Sequence, residues 1–313
     1  MSRLSGAHTG SEGFYHEPEA CTHAIVFTFC KGQDEFNGAF MKGLFSFLGP
    51  KKDAKYYVGT GDEQLEKGQL EQAEKLFAKA LELAEESKDY DSEVIARFKL
   101  GAVAESQNRL AVAETHYNKA FRYFQDGEEW MQAADCLMRL GKICYRQRRL
   151  SEATQLFGYA QKYFEDEKAD PALISQALDW LGTCCMEERN FAMAEKHLRS
   201  SIARAVEASS GDDTLISKWK RIGVCCAEQG KEVEAQEAFK SCLSIYEKKG
   251  DDVLHAEAIE VCSCLHEYGR LLLRGGKKEK AKDLLARAEK LCEAYPGYLQ
   301  EAELADELAK LKS

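Results

Sequence analysis

Between about residue 54 and residue 295, apolar residues recur every three or four positions, which is the period of amphipathic α-helices. One such stripe consists of Ala73, Leu76, Phe77, Ala80, Leu81 and Ala84. Along the same region, a glycine followed twelve residues later by an alanine occurs six times. The pairs are Gly61 and Ala73, Gly101 and Ala113, Gly141 and Ala153, Gly182 and Ala194, Gly223 and Ala235, and Gly269 and Ala281. This register predicts six structurally equivalent units of about forty residues.

Each alanine is followed four positions later by a large residue and, three positions after that, by a small one. The large residues are Phe77, Tyr117, Phe157, Leu198, Phe239 and Leu285, and the small ones are Ala80, Ala120, Ala160, Ser201, Cys242 and Ala288. A glycine within a helix costs about 1 kcal/mol relative to alanine, so six of them require compensation by packing. We expect each glycine to face the alanine of a second, antiparallel helix, with the large residue filling the adjoining groove.

Proline is almost absent from this region, which favours uninterrupted helices. Of the 4 prolines, Pro171 follows Asp170 as a proline at the first position of a helix, and Pro296 follows the last unit. Each unit is then expected to hold two helices of roughly 15 to 18 residues. A final apolar stripe, comprising Leu299, Ala302, Ala305, Leu308 and Leu311, predicts one more amphipathic helix that covers the end of the array.

The glycine, the alanine, the aromatic residue and the small residue in this register resemble the tetratricopeptide repeat family over about residues 54–295. The units are longer than the usual 34 residues and are similar to an extended-helix subclass found in adaptor proteins. The resemblance implies an all-α fold, a right-handed α-solenoid of six antiparallel helix pairs with a C-terminal capping helix. Its first helices would line the inner groove. The chain is then expected to divide into residues 1–50, the repeats at 51–297 and the cap at 298–313.

Positions relative to the repeat glycines identify candidate residues for the inner groove. These are Phe98, Lys99, Arg139, Lys142, Arg146, Trp180, Lys220, Arg221 and Arg270. Two interpretations remain open. Basic side chains and Trp180 would bind an acidic or C-terminal peptide of another protein, or the same residues would form a mixed, solvated helix face. The Lys/Asn clamp with which the family binds chaperone C-terminal peptides is missing at the matching positions.

The sequence carries no pattern typical of an enzyme. There is no GxGxxG, P-loop or HExxH sequence, and no Ser/His/Asp set can be assigned. Cys262, Cys264 and His266 resemble a metal site only by proximity, because residues two apart on a helix face different directions. The 12 cysteines lie among apolar residues, and we expect buried, reduced thiols. We therefore predict no catalytic residues, no metal and no cofactor.

Charge and hydropathy narrow the partners further. With 43 Lys and Arg against 53 Asp and Glu, the net charge is −10, and no long basic run exists to bind nucleic acid. No stretch reaches the roughly 18 apolar residues of a membrane span. We predict a non-catalytic, cytoplasmic scaffold or adaptor that binds another protein. The sequence leaves its oligomeric state and the identity of the partner open.

The segment before the repeats suggests an alternative function. Residues 1–23 are polar and predicted to be disordered, whereas residues 38–49 are apolar. The candidate docking residues in the apolar part are Phe40, Leu44, Phe45, Phe47 and Leu48. They would pack on the first repeat or contact a membrane or partner. Similar segments precede the repeats of soluble attachment proteins of membrane fusion and of mitochondrial tetratricopeptide proteins of respiratory complex III. A peripheral membrane adaptor, in vesicle fusion or mitochondrial complex assembly, is therefore the alternative.

Overall fold

Helices account for nearly all of the backbone that the computed structural model describes, which comprises residues 52–209, 211–250 and 255–312. Within these ranges there are thirteen α-helices and no strand. They are α1 (Ala54–Glu66), α2 (Leu70–Ser87), α3 (Tyr90–Ser106), α4 (Leu110–Asp126), α5 (Trp130–Arg146), α6 (Leu150–Asp166), α7 (Pro171–Glu187), α8 (Phe191–Glu207), α9 (Asp212–Glu228), α10 (Glu232–Lys249), α11 (His255–Arg274), α12 (Lys278–Ala294) and α13 (Glu301–Lys312). All belong to one unit of the chain, residues 53–313.

Each odd-numbered helix from α1 to α11 packs against the helix that follows it, and each pair packs against the next. The last helix, α13, packs on α12. Its Leu304 and Leu308 are fully buried in the core that α7 to α12 form. Leu299 is fully exposed and precedes the helix, and Ala302 and Ala305 face solvent, so the predicted stripe is wrong at these three residues. The prediction of an all-α solenoid with six helix pairs and a terminal covering helix is confirmed for the described residues.

The turn inside each pair places one residue in the left-handed region, at the same register in all six units. These residues are Gly68, Asn108, Arg148, Arg189, Gly230 and Gly276, with φ between 59° and 75°. The next residue donates its backbone N–H to a carbonyl five residues back, as Arg149 does to Cys144 at 2.9 Å. This bond satisfies a carbonyl at the end of the first helix and reverses the chain within three residues.

The repeat glycines pack against the large residues of the second helices, and this corrects our expectation that they face the alanines. A Cβ placed on Gly141 would lie 2.7 Å from Cε1 of Phe157, and the other five glycines are approached equally closely by their large residues. Phe157 is fully buried, as is Ala153 one turn before it. Because the side chain of Phe157 is long, it reaches the first helix where the methyl group of Ala153 does not.

Acidic residues at one register join successive repeats. Thirteen positions after the repeat glycine, a glutamate of a second helix binds a cation in the turn of the next repeat. The N–O distances are 2.7 Å for Glu74 and Arg109, 2.9 Å for Glu114 and Arg149, and 2.8 Å for Glu195 and Lys231. The third and fifth units carry Thr154 and Gln236 there and lack this ion pair. The repeats are thus linked by polar contacts as well as by the apolar core.

The cysteines follow the prediction only in part. Among the described residues, eight cysteines are buried free thiols, but Cys262 and Cys292 form a disulfide between α11 and α12. The expectation that all cysteines are reduced is therefore wrong for this pair. The two residues are 30 positions apart, and the antiparallel packing of α11 and α12 brings their Cα atoms to 6.5 Å. No local sequence pattern connects them.

Candidate functional site

The first helices α3, α5 and α7 form a surface with two adjacent cavities, each of about 220 Å³. The cavity between α3 and α5, called here the apolar pocket, is lined by Ile95, Phe98, Lys99, Phe124, Gln132 and Asp135. The second, called the basic pocket, is lined by Phe98, Asp135, Met138, Arg139, Lys142, Phe164, Leu173 and Gln176. Phe98 and Asp135 line both pockets and separate them. Four candidates of the sequence analysis, Phe98, Lys99, Arg139 and Lys142, thus come together.

Phe98 holds the wall between the pockets in place. Its ring is half-buried and meets the fully buried ring of Tyr117 edge to face, with 5.3 Å between the centroids. The hydroxyl group of Tyr117 donates a hydrogen bond of 3.1 Å to Glu105. Burial raises the pKa of Tyr117 well above its usual value, so this phenol remains a hydrogen-bond donor. The wall is therefore supported by packing and not by solvent-exposed loops.

Lys142 is the distinctive charge of the basic pocket. Its Nζ lies 5.6 Å from the ring centroid of Trp180, a cation–π contact. Trp180 itself stacks on Phe157 at 5.5 Å and 14°. No carboxylate of the described residues forms an ion pair with Lys142. Burial, reinforced by the positive charge of Arg139, lowers the pKa of the Lys142 ammonium group. The group is thus partly desolvated, and although Glu105 and Asp135 act on it, no carboxylate in the described ranges is paired with it directly.

Asp135 supplies an opposite charge between the two pockets. Surrounding protein atoms raise the pKa of its carboxyl group, an effect that Arg139 and Lys142 partly offset. Asp135 also has no ion pair among the residues that the structure describes, and its side chain remains exposed. Within the described residues, the surface therefore presents a cation and an anion that influence each other but form no direct ion pair. Unpaired charges with perturbed pKa values concentrate at binding sites.

A register rule explains which cations of the inner surface are already neutralised. In each first helix, one residue lies two positions before the repeat glycine. It contacts a residue of the previous repeat, the one that lies one position after that repeat's glycine. Lys99 thus pairs with Asp62 at 2.7 Å, and Arg221 donates to Thr183 at 2.7 Å. For Arg139, the corresponding residue is Ala102, which has no acceptor in its side chain. Arg139 instead reaches Glu105 at 3.5 Å and remains weakly held.

The other predicted groove residues do not join the pockets. Arg146 donates a hydrogen bond of 2.7 Å to Asn108 at the end of the repeat. On α9, Lys220 pairs with Glu260 and Arg221 with Asp179, each at 2.5 Å. Arg270 on α11 lies 3.5 Å from Glu303 and 3.6 Å from Glu307 of α13. These cations stabilise contacts between helices, and the candidate site is restricted to α3, α5 and α7.

Several residues of the pockets were missed by the sequence analysis, most importantly Asp135 and Ile95. Asp135 lies four residues before Arg139 and seven before Lys142, so all three share one face of α5. Ile95 lies three residues before Phe98 on α3 by the same rule. Helical spacing from the predicted residues would have identified both. The remaining lining residues, such as Phe164 on a second helix, follow only from the packing of whole repeats.

Some predictions concern features beyond this surface. Phe40, Leu44, Phe45, Phe47 and Leu48 lie outside the described residues. None of the helices in the described ranges is both long and apolar enough to cross a membrane. The same ranges contain no group of three His, Cys, Asp or Glu side chains arranged to hold a metal ion. Cys262, from the Cys262, Cys264 and His266 set, is instead bonded to Cys292.

Comparison with known proteins supports the assignment of the fold. Residues 63–126, from within α1 to the end of α4, match the family model of the tetratricopeptide repeat. No curated protein matches the chain. The apo form of RapI aligns with a TM-score of 0.61 and 14% identity over 83% of this chain and 97% of RapI.

Two further solved structures are similar. BtubC from P. vanneervenii has a TM-score of 0.61 and 17% identity, covering 73% of this chain and 93% of its own. The pilF protein of Pseudomonas aeruginosa has a TM-score of 0.56 and 20% identity, covering 81% and 97% respectively. At these identities the likeness concerns the fold alone.

Proposed function

We propose that this chain, a solenoid of tetratricopeptide-type helix pairs, is a non-catalytic scaffold that binds an extended segment of another protein on the surface of α3, α5 and α7. The observation that carries the proposal is the unpaired Lys142 in a cavity beside a second, apolar cavity. Solenoids of stacked helices commonly use such inner surfaces for binding. A partner segment would supply the anion that Lys142 lacks.

The size of the pockets favours side chains of a peptide over a small-molecule ligand. Each pocket measures about 220 Å³, below the roughly 300 to 1,000 Å³ typical of small-molecule sites. Two such cavities that share Phe98 and Asp135 suit neighbouring side chains of one extended chain. This arrangement favours recognition of a protein segment.

The charges favour an acidic segment over the alternative of a simple solvated face. A solvated lysine keeps its full hydration, whereas burial has already lowered the pKa of Lys142. Arg139 is 43% exposed and held at 3.5 Å from Glu105, so it is available to a second carboxylate. An acidic side chain of the partner would gain Lys142, whose desolvation is partly complete before binding, and the more exposed Arg139.

Charge reversal of the basic pocket tests this function. The full chain is compared with the double variant Lys142→Glu and Arg139→Glu in affinity capture from cell extract, followed by mass spectrometry. The matched control is Lys119→Glu with Arg122→Glu, two exposed residues of α4 outside both pockets. We expect the groove variant to lose specific partners that the control retains. Identical sets of captured proteins for all three would refute the proposal.

A further inference from the structure

We infer that the two pockets recognise two side chains of the same partner segment, an apolar side chain in the apolar pocket and a carboxylate beside Lys142 in the basic pocket. This rests on the proposed function and specifies the chemistry of the partner. Because the pockets share Phe98 and Asp135 as walls, the two side chains must be close in the partner sequence. In an extended chain, residues i and i+2 lie on one face and are about 6.6 Å apart.

The apolar pocket is suited to one large aliphatic or aromatic side chain. Ile95 is 43% exposed in the free protein, and its neighbours Phe98 and Phe124 provide aromatic surface. Among the described residues that line this pocket, the charged ones are Lys99 and Asp135, and Lys99 is already paired with Asp62 at 2.7 Å. An inserted leucine or phenylalanine would remove the exposed surface of Ile95 from water. Burial of one such side chain contributes about tenfold to a hundredfold in affinity.

The basic pocket is suited to a carboxylate because of what surrounds Lys142. The ring of Trp180 covers one side of the ammonium group and Arg139 adds a second positive charge, while Glu105 and Asp135 act on Lys142 without an ion pair being formed. Neither a backbone carbonyl nor a hydroxyl would neutralise two cations as a carboxylate does. The glutamate or aspartate of the partner would lie between Lys142 and Arg139.

Asp135 determines where that carboxylate is tolerated. It lines both pockets and would repel an acidic side chain in either, but only at the basic pocket do Lys142 and Arg139 offset that repulsion. The acidic residue must therefore lie on the α7 side of Phe98, next to Trp180. Asp135 acts as an element of selectivity: it disfavours segments that are acidic throughout and favours those with one apolar and one acidic residue.

Synthetic peptide libraries test this assignment. Three fluorescent nonapeptide libraries, randomised elsewhere over Ser, Gly, Asn and Ala, carry fixed pairs two residues apart in both orders. The pairs are Leu with Glu, Leu with Gln, and Ala with Glu. Binding to the full chain is measured by fluorescence polarisation. We expect the Leu/Glu library to bind at least tenfold more tightly than either of the others.

Variants assign each preference to its pocket. Lys142→Met should abolish the preference for Glu over Gln and preserve the preference for Leu over Ala. Lys142→Arg should restore the preference for Glu over Gln. Ile95→Glu should abolish the preference for Leu over Ala and preserve the preference for Glu over Gln. Asp135→Asn should raise the affinity for a library carrying acidic residues at both ends of the leucine by threefold or more. Circular dichroism confirms that each variant is folded.

The outcomes separate this inference from the proposed function. Equal binding of the Leu/Glu and Leu/Gln libraries, or no binding by any library, would overturn the chemistry assigned to the pockets. If charge reversal at Lys142 and Arg139 still removed captured proteins from extract, the groove would remain a binding site for a different segment. If that reversal also had no effect, both the inference and the proposed function would fail.

Discussion

The contact between Gly141 and Phe157 allows a sharp test of the packing on which the fold depends. Replacing Gly141 by alanine would place a Cβ atom 2.7 Å from Cε1 and 2.9 Å from Cδ1 of Phe157. Phe157 is fully buried and stacked on Trp180, so its ring has little freedom to move. Gly158 provides the matched control, since it lies in the interior of α6 and a Cβ there would meet nothing within 4 Å.

Two effects of known size decide the result. Alanine is favoured over glycine within a helix by about 1 kcal/mol, and this gain applies at both positions. At Gly141 the extra methyl group also overpacks the core, which typically costs about 1–3 kcal/mol. We expect Gly158→Ala to raise the free energy of unfolding by up to about 1 kcal/mol. Gly141→Ala should lie about 1–3 kcal/mol below it.

Urea denaturation of the full chain measures these differences in the free energy of unfolding. Unfolding is monitored by far-UV circular dichroism and by tryptophan fluorescence, to which Trp180 contributes. A double-mutant cycle with Phe157→Ala identifies the cause, because removing the ring removes the clash. In that background Gly141→Ala should become stabilising. Equal stability of the Gly141→Ala and Gly158→Ala proteins, or a cost that persists without the ring of Phe157, would refute the reasoning.

Three further predictions concern the links between repeats, the disulfide and the groove. Burial opposes ionisation of Glu195, but its hydrogen-bonded cations and amide outweigh this and lower its pKa to about 2. The stabilising contribution of the Glu195 carboxylate is therefore complete above pH 5 and is lost as the pH falls toward 2. Glu195→Gln should lower the free energy of unfolding by about 1–3 kcal/mol at pH 7 and by almost nothing at pH 2, as measured by urea denaturation. Reduction of the Cys262–Cys292 disulfide should lower stability by about 3 kcal/mol in thermal and urea melts. Ala102→Asp should give Arg139 a carboxylate at the register position in addition to the distant Glu105, and weaken capture of the partner severalfold in the pull-down assay.

Each of these predictions has its own control. Glu237→Gln changes an exposed carboxylate on α10 and should leave the pH dependence as it is. For the disulfide, a reductant should have no further effect on the Cys262→Ser protein; a second loss of stability would assign the effect to another pair. Ala102→Asn keeps the shape of aspartate without its charge. If it weakens capture as much as Ala102→Asp, charge neutralisation of Arg139 is not the cause.

The sequence predicts the fold well because the information is local and repeated. The step from each glycine to the large residue sixteen positions later fixes a helix, a turn and a second helix. The same register recurs six times. Even so, the sequence led us to expect that each repeat glycine packs against the alanine, because spacing alone does not show how far a side chain reaches. Only the length of the ring of Phe157 reveals which residue fills the space beside Gly141.

The candidate site is predicted less completely because its character depends on pairs of residues in different repeats. Arg221 and Lys142 look equivalent in the sequence, as basic residues near a repeat glycine. In the structure Arg221 binds Asp179, which is 42 positions away, whereas Lys142 has no such partner among the described residues. Which cations remain available therefore depends on residues one repeat away. The same separation concealed the disulfide between Cys262 and Cys292.

The register rule for first helices accounts for the location of the free charges. Where the preceding helix offers an acceptor, as Asp62 does to Lys99 and Thr183 does to Arg221, the cation is used to hold two repeats together. At α5 this pairing fails on both sides. On the side of α3, the residue opposite Arg139 is Ala102, which has no acceptor in its side chain. On the side of α7, the residue opposite Lys142 is Trp180 and not an acidic residue. Ala102 and Trp180, at two adjacent junctions of this register, thus leave Arg139 weakly held and Lys142 without a direct ion pair at one point of the described inner surface. Arg139 and Lys142 lie beside the apolar pocket, so a partner can contact these cations and bury an apolar side chain at the same time.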